Sequence, residues 1–152
     1  MSSDPVYLLP AAGRLAGIDY GERRVGIAVC DASWQYCGPY EVFERHGPQA
    51  DAVRIRKLVR EEGVVGFVVG LPLHTSGGES ASTKAARAYG AWLAEMTSLP
   101  VDFQDERYTS HAAETLLGPM ELTKKQRKAR LDALAAQIIL QSYIDARRGT
   151  AA

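Results

Sequence analysis

The chain has 152 residues, of which 46% are hydrophobic and 24% charged, the size and composition of one ordinary globular domain. Its 18 basic and 18 acidic residues balance, so net charge neither indicates nor excludes a nucleic-acid partner. The two cysteines, Cys30 and Cys37, form no Cys-x-x-Cys pair, which argues against a zinc ribbon or a redox dithiol. We expect residues 1–152 to form a single domain, with residues 1–12 as a flexible N-terminal extension.

No segment of the chain indicates membrane insertion or export. The longest apolar run, Val64–Leu73, is far shorter than the ~20 residues of a membrane span and is interrupted by glycine and proline. The apolar stretch Val6–Ala12 is preceded by an acidic residue and by no Lys or Arg, unlike a secretory signal. We therefore expect a cytoplasmic protein with no membrane partner.

The first half of the chain predicts three strands and a helix. Residues 15–19 and 25–30 are apolar runs separated by turn-forming residues, which predicts a β-hairpin. A third strand is predicted over Tyr40–Glu44. Apolar residues then recur at helical spacing over Gln49–Glu62, and Gly63 is a typical residue for the end of that helix.

The second half alternates strands and helices. Val64–Leu71 is apolar throughout, as expected of a central parallel strand covered on both faces. Further elements are predicted in this order: a helix from Ala81 to Met96, a strand at 101–107, a short helix at 110–117, and a last helix that starts with a capping box at Thr123. This order predicts an α/β domain with a mixed sheet, three antiparallel strands followed by parallel strands, and helices on both faces.

Two aspartates stand out because each lies at the edge of an apolar pattern. Asp19 ends the first strand, so its carboxylate should lie near the core, unless it only bonds the backbone of the following turn. Asp132 shares a helical face with apolar residues that pack on the sheet, and its structural alternative is a salt bridge with Arg24 or Arg107. Both positions are compatible with a carboxylate cluster at the ends of the strands.

A third candidate acid lies at the end of the strand that begins at Val101. Asp105 and Glu106 are consecutive and point to opposite faces, so at most one of them joins a given cluster. Strand parity places Asp105 with Val101 and Phe103, which slightly favours Asp105, but a strand end can twist and the choice stays open.

Such scattered carboxylates suit a divalent cation, because Mg²⁺ prefers hard oxygen ligands completed by water and substrate phosphate. A Mg²⁺ or Mn²⁺ site of this kind suits phosphodiester hydrolysis. Five of the seven residues at 124–130 are basic and would tether phosphates, although a solvated helix face explains such clusters more often.

Four sequence blocks resemble the YqgF (RuvX) family of the ribonuclease H-like fold, described as Holliday junction resolvases and pre-16S rRNA nucleases. The blocks are Gly17–Asp31, Val69–Leu73 with the glycine-rich loop after it, Asp105–Thr109 and Asp132–Tyr143. They occur in the family's order and span most of the chain. The resemblance implies a ribonuclease H-like mixed sheet. Departures from the family pattern at Cys30, His74 and Tyr108 involve no acid, so they affect substrate details rather than the metal site.

The resemblance also implies the site residues. Asp19, Glu106 and Asp132 become the expected catalytic and metal-binding acids, with Asp105 as the alternative to Glu106. The expected nucleic-acid contacts are basic residues near these acids: Arg23, Arg24, Arg107, Lys124, Lys125, Arg127, Lys128 and Arg130. The three arginines could instead pair with the acids.

The carboxylates and the resemblance together indicate a Mg²⁺- or Mn²⁺-dependent endonuclease, and the resemblance implies one that processes the 5′ end of pre-16S rRNA during ribosome biogenesis. The alternatives are a Holliday junction resolvase acting on branched DNA and a non-catalytic nucleic-acid-binding factor on the same fold. A nucleotide-binding actin-like domain is disfavoured because that architecture needs two such domains. Either a monomer or a homodimer is compatible with the sequence, although symmetric junction cleavage would call for a dimer.

Overall fold

The structure, a computed structural model, describes residues 7–73, 79–106, 118 and 123–148. The predicted helix at 110–117 lies outside the described residues. The elements are β1 (Leu15–Tyr20), β2 (Arg24–Cys30), β3 (Cys37–Glu44), α1 (Pro48–Glu62), β4 (Gly66–Leu71), α2 (Ala81–Thr97), β5 (Val101–Asp105) and α3 (Lys124–Arg148).

The five strands form one mixed sheet in the order β3-β2-β1-β4-β5. The pairs β1–β2 and β2–β3 are antiparallel, whereas β1–β4 and β4–β5 are parallel. Parallel neighbours need a crossover between them, and α2 supplies the one between β4 and β5. The predicted mixed sheet with helices is confirmed.

Two apolar clusters lie on opposite faces of this sheet. One cluster packs α1 and α2 against one face, with Ile18, Ile55 and Leu93 fully buried. The other packs α3 against the opposite face, with Ile139 and Leu140 buried. The side chains of β1 alternate between these faces because successive residues of a strand point in opposite directions. Residues at the carboxyl end of β1 can therefore serve two different surfaces.

The helix ends follow the predicted signals. Gly63 adopts a left-handed conformation, with φ of 65°, after the last turn of α1. Before α3, Thr123 and Gln126 exchange hydrogen bonds of 3.1 Å between side chain and backbone, which forms the predicted capping box.

Strand β3 differs from its prediction by starting at Cys37 rather than at Tyr40. Proline is normally excluded from strands, but β3 lies at the edge of the sheet, and Pro39 pairs with Ala28 at a register shift in β2. Strand β4 begins at Gly66 and β5 ends at Asp105, so both are two residues shorter than predicted.

The segment before β1 packs on α3. Leu9 is buried against the α3 face, and Arg147 donates hydrogen bonds to the carbonyl oxygens of Leu9 and Pro10 at 2.8 and 3.0 Å. Residues 1–6, the start of the expected extension, lie outside the described residues. Among the helices that the structure describes, none combines the length and apolar composition needed to cross a bilayer.

Candidate active site

Asp19 lies near the carboxyl end of β1 on the face covered by α3. Leu15 lies four residues before Asp19 and therefore points to the same face, and it belongs to the α3 cluster. The neighbours of Asp19, Ile18 and Tyr20, belong to the opposite cluster. Burial and, to a smaller extent, the negative charge of Asp132 together raise the pKa of Asp19 to about 7. The structure therefore places Asp19 and Asp132 close enough for their charges to interact.

Two glycines flank Asp19 and let other elements approach it. Gly26 of β2 pairs with Asp19, and a Cβ atom at Gly26 would lie 2.6 Å from the carbonyl oxygen of Asp132. On the other side Ile18 pairs with Val69, so the next residue of β4, Gly70, follows beside Asp19. A Cβ atom there would collide with the Glu106 carboxylate and would lie 2.5 Å from Cδ1 of Ile139. Both glycines therefore bring acidic residues over the sheet.

Glu106 immediately follows β5, and its backbone N–H donates a 3.0 Å hydrogen bond to the carbonyl oxygen of Leu71. Its side chain lies on the α3 face, since the Glu106 carboxylate and Ile139 of α3 both lie over Gly70. Burial raises the pKa of Glu106 to about 8, with smaller contributions in the same direction from the charges of Asp19 and Asp105. Asp19 and Glu106 therefore share one electrostatic environment.

Asp105, the alternative acid, belongs to the other face of β5. Its strand neighbours of the same parity, Val101 and Phe103, pack on the cluster under α1 and α2. The α3 face of β5 is instead polar: Asp102 accepts a 2.9 Å hydrogen bond from the hydroxyl of Tyr143. Strand parity slightly favoured Asp105 because this residue shares the apolar face of β5. The helix that carries Asp132 packs on the opposite, polar face, which is the face of Glu106.

Asp132 lies in α3 and forms an ion pair with Arg24 of β2, with 3.0 Å between Nε and Oδ2. The two side chains are 26% and 25% exposed, so this pair is half-buried. The buried Nε of Arg24 nevertheless lacks a hydrogen bond of good geometry. The salt bridge considered as the structural alternative for Asp132 is therefore present, and it coexists with the interaction between Asp132 and Asp19.

These side chains border an open cleft of about 380 Å³, whose lining includes Asp19, Arg23, Arg24, Lys128 and Asp132. The carboxylate oxygens are the hard donors that Mg²⁺ prefers. Burial, together with neighbouring negative charge, raises the pKa values of Asp19 and Glu106. Within the ranges that the structure describes, no group of three or more His, Cys, Asp and Glu side chains is placed to hold a metal ion. The donor type fits a divalent cation, but the residues that the structure describes do not form a complete ligand cage.

The basic residues at 124–130 take different positions around α3. Lys128 lies one helical turn before Asp132 and lines the cleft. Lys124 and Lys125 are exposed and lie about one further helical turn away from Asp132. Arg130 is also exposed, and because it lies two residues before Asp132 it points to the opposite side of the helix. Arg127 donates a 3.2 Å hydrogen bond to the carbonyl oxygen of Gly118. Arg107, His74 and Tyr108 lie outside the described residues.

Sequence reasoning missed the two glycines as positioning residues. Glycine inside a strand weakens the strand and often marks a place where another backbone or a ligand approaches closely. The presence of glycine at these two strand positions was therefore the available signal in the sequence. Gly26 and Gly70 both meet this condition, because the backbone at Asp132 and the Glu106 side chain occupy the space of a Cβ atom.

The family model described as "RuvX: Holliday junction resolvase" matches residues 13–146 of this chain. A protein of Rhodopirellula baltica named "Putative pre-16S rRNA nuclease" is 44% identical over 139 residues, covering 91% of this chain and 80% of that protein. A protein of the same name from Sphingopyxis alaskensis is 41% identical over 138 residues, covering 91% and 90%.

Among solved structures, the chain resembles Thermus thermophilus RuvC in complex with a Holliday junction substrate. The TM-score is 0.53 at 20% identity, and the match covers 91% of this chain and 97% of that one. A second structure of the same RuvC gives a TM-score of 0.52 at 19% identity. At this identity the likeness shows the fold, which confirms the ribonuclease H-like arrangement of the sheet. With the family match and the curated relatives, it establishes that the chain belongs to the RuvX family.

Proposed function

We propose that the protein is a divalent-cation-dependent endonuclease that processes the 5′ end of pre-16S rRNA, with Asp19, Glu106 and Asp132 as its catalytic acids. The observation that carries the proposal is the convergence of Asp19 and Glu106 on one face of the sheet, beside Asp132. Membership of the RuvX family and relatives named for pre-16S rRNA supply the reaction class and the substrate.

The state of the acids supports a role in binding cations. Three carboxylates near one another are costly, and the raised pKa values of Asp19 and Glu106 mean that protons occupy part of the cluster near neutral pH. A divalent cation would replace those protons and neutralise the same charge. The chemistry supplied by Mg²⁺ or Mn²⁺ at such a site is activation of a water molecule and stabilisation of the leaving oxygen of a phosphodiester.

The chain's own residues would orient the substrate. Arg24 neutralises part of the charge of Asp132 and, together with Arg23 and Lys128, gives the cleft a positive side for the phosphate backbone. Gly26 holds the backbone at Asp132 close to β2, so the position of this acid relative to Asp19 is fixed by packing rather than by a loop. The cleft therefore joins carboxylates for the cation to basic groups for the phosphate.

Holliday junction resolution is the second candidate, favoured by the description of the matching family model and by the fold shared with RuvC. Symmetric cleavage of a junction requires two active sites and hence a dimer, whereas trimming one RNA end does not. The oligomeric state of the active species therefore separates the two candidates.

The test is cleavage of an RNA with an extended 16S 5′ end, and of a four-way DNA junction, in the presence of Mg²⁺. We expect Asp19→Asn and Glu106→Gln each to slow cleavage by at least about 100-fold, because each removes a charged oxygen donor. The matched control is Asp105→Asn, which removes the neighbouring acid from the other face and should retain activity within about threefold.

Equal rates for the wild type and Asp19→Asn would contradict the assigned site. Binding that weakens with salt, without turnover of either substrate, would instead identify a non-catalytic binding factor. Faster cleavage of the junction than of the RNA, by a dimer, would replace the RNA substrate with branched DNA.

A further inference from the structure

A second cavity lies on the opposite face of the sheet from the carboxylates. It has a volume of about 300 Å³, opens to solvent, and lies between α1, α2 and the carboxyl end of β1. Three aromatic side chains line it, Tyr20, Tyr89 and Trp92, with ring centroids 4.6 Å apart for the first pair and 5.2 Å for the second. Neighbouring rings are tilted by 38°, and the size and aromatic wall of the cavity suit a planar ligand that stacks on one of them.

The polar lining of this cavity is arranged around Arg45. Its Nε donates a 2.9 Å hydrogen bond to Oδ2 of Asp51, and its Nη1 donates a 2.8 Å hydrogen bond to the hydroxyl of Tyr20. The guanidinium also lies over the rings of Tyr20 and Tyr89, 4.9 and 5.4 Å from their centroids. This network holds the aromatic wall and the carboxylate of Asp51 in fixed positions.

Two residues of this lining, Asp51 and Tyr89, each have a buried polar atom that lacks a partner. Asp51 is 1% exposed and Tyr89 is 6% exposed, yet neither Oδ1 of Asp51 nor the Tyr89 hydroxyl has a hydrogen-bond partner among the described residues. Buried polar groups are normally satisfied, so this pair of atoms is unusual. Oδ1 can only accept a hydrogen bond while the carboxylate is ionised, and the hydroxyl can donate one. A complementary ligand presents an N–H group on the edge of a flat ring.

The cavity adjoins the candidate active site around the β1–β2 turn. A further cleft of about 370 Å³ is lined by Arg23 and Arg24, which also line the carboxylate cleft, and by Arg45, which also lines the aromatic cavity. Glu22 and Glu44 complete its lining, so the three arginines give it a net positive charge. Asp19 and Tyr20 are consecutive residues that face the two sites from opposite sides of β1. A strand whose phosphates follow these arginines would reach from the acids to the aromatic cavity.

We propose that the cavity between Tyr20, Tyr89, Trp92 and Asp51 binds one unpaired nucleobase of the substrate strand. The base stacks on the aromatic wall, an N–H group on its edge donates to Oδ1 of Asp51, and a neighbouring ring nitrogen accepts a hydrogen bond from the Tyr89 hydroxyl. This inference rests on the proposed nuclease function, because the base belongs to the nucleic-acid substrate of that reaction. Stacking on aromatic side chains and hydrogen bonds to the exposed edge are the usual means of recognising unpaired bases.

The experiment measures binding of a short single-stranded RNA to the full chain by fluorescence anisotropy in EDTA, so that no cleavage occurs. Two RNAs differ at one position: one carries adenine, and the other carries purine, which lacks the exocyclic amino group. We expect the adenine RNA to bind about tenfold more tightly, because a hydrogen bond from an N–H group to a carboxylate is lost in the purine RNA. Adenosine monophosphate is the probe for a free nucleotide.

Three variants locate the effect. Trp92→Leu should weaken binding of both RNAs by about tenfold, because it removes a stacking surface. Tyr89→Phe removes only the unpartnered hydroxyl, so it should weaken binding while thermal stability is unchanged. Tyr40→Phe is the matched control: this residue packs on the same apolar cluster outside the cavity, and its variant should bind as the wild type does.

Several results would overturn the proposal. Equal affinities for the adenine and purine RNAs would remove the role of Asp51, and a Tyr89→Phe variant that loses stability but binds normally would show a purely structural hydroxyl. Adenosine monophosphate binding as tightly as the RNA would exclude a site for the substrate strand. Asp19→Asn separates this inference from the nuclease proposal, because it should abolish cleavage and still discriminate adenine from purine.

Discussion

Each face of the sheet has an ion pair between an arginine and an aspartate, but the two faces differ in the number of further carboxylates beside that pair. On the α1 and α2 face, Arg45 bonds Asp51 at 2.9 Å, and Asp51 is 1% exposed. On the α3 face, Arg24 contacts Asp132 at 3.0 Å, but both side chains are about a quarter exposed. In the first pair the aspartate is buried and Arg45 is 21% exposed, with no further carboxylate among the described residues that line the aromatic cavity, whereas the second pair lies beside two further carboxylates.

The Arg45–Asp51 pair is therefore structural, whereas the carboxylates on the α3 face can gain and lose protons near neutral pH. Within the part of the chain that the structure describes, Asp19 and Glu106 form no ion pair, and their pKa values are raised to about 7 and about 8. Protons therefore complete the charge balance on the α3 face when no cation is bound. This proton binding supports the proposed cation site, because a divalent cation would displace the same protons.

The comparison predicts opposite effects of the same substitution on the two faces. Without divalent cations at pH 8, Asp51→Asn should lower the free energy of unfolding by about 2–3 kcal/mol, because it leaves the half-buried Arg45 without its charged partner. Asp19→Asn should instead raise it by about 1 kcal/mol, because it removes a buried negative charge and its repulsion with Asp132. Urea denaturation monitored by circular dichroism measures both values.

Both substitutions keep the size and shape of the side chain, so each serves as the steric control for the other. A loss of stability in Asp19→Asn would show that its carboxylate makes a favourable contact in the folded protein, and the account of the α3 face as a repulsive cluster would fail.

The second prediction concerns pH. The folded-state pKa values of Asp19 and Glu106 lie above their ordinary values of 3.8 and 4.5, so the folded protein retains protons that the unfolded chain releases. Their contribution is present at acidic pH and is lost as pH rises through about 7 and about 8. In EDTA, the Tm should therefore fall by several degrees between pH 6 and pH 9.

The Asp19→Asn variant is the control. It lacks one of the two titrating acids and keeps the histidines and all other titratable residues of the wild type. Its Tm should fall less than that of the wild type over the same range, and Mg²⁺ should raise the wild-type Tm most at pH 9. Parallel curves for the two proteins would show that other groups cause the pH dependence.

The sheet and its helices followed from local patterns, because each element has a clear signal of its own. Gly63 ends α1 and Thr123 begins α3 as predicted, since helix ends depend on a few nearby residues. The start of β3 could not be predicted, because tolerance of Pro39 depends on β3 lying at the edge of the sheet. Edge position is a property of the whole topology.

The acids of the site were also visible in the sequence, but their arrangement was not. Parity alone pointed slightly to Asp105, because it could not show that α3 packs on the polar face of β5. The roles of Gly26 and Gly70 depend on which backbone crosses them, and the pairing of Arg24 with Asp132 depends on the register between α3 and β2. These features arise from packing between distant segments.

The smallest predicted effect tests how the basic residues of α3 divide between the cleft and the solvent. Lys128 lines the carboxylate cleft one turn before Asp132, whereas Arg130 is exposed and turned away from it. Lys128→Gln should weaken RNA binding in EDTA by about threefold to tenfold and should lower the salt dependence by roughly one counterion. Arg130→Gln removes the same charge from the same helix and should change affinity by less than about twofold. Equal losses in the two variants would show that the basic stretch acts through its overall charge, and the selective contact of Lys128 with a phosphate in the cleft would be wrong.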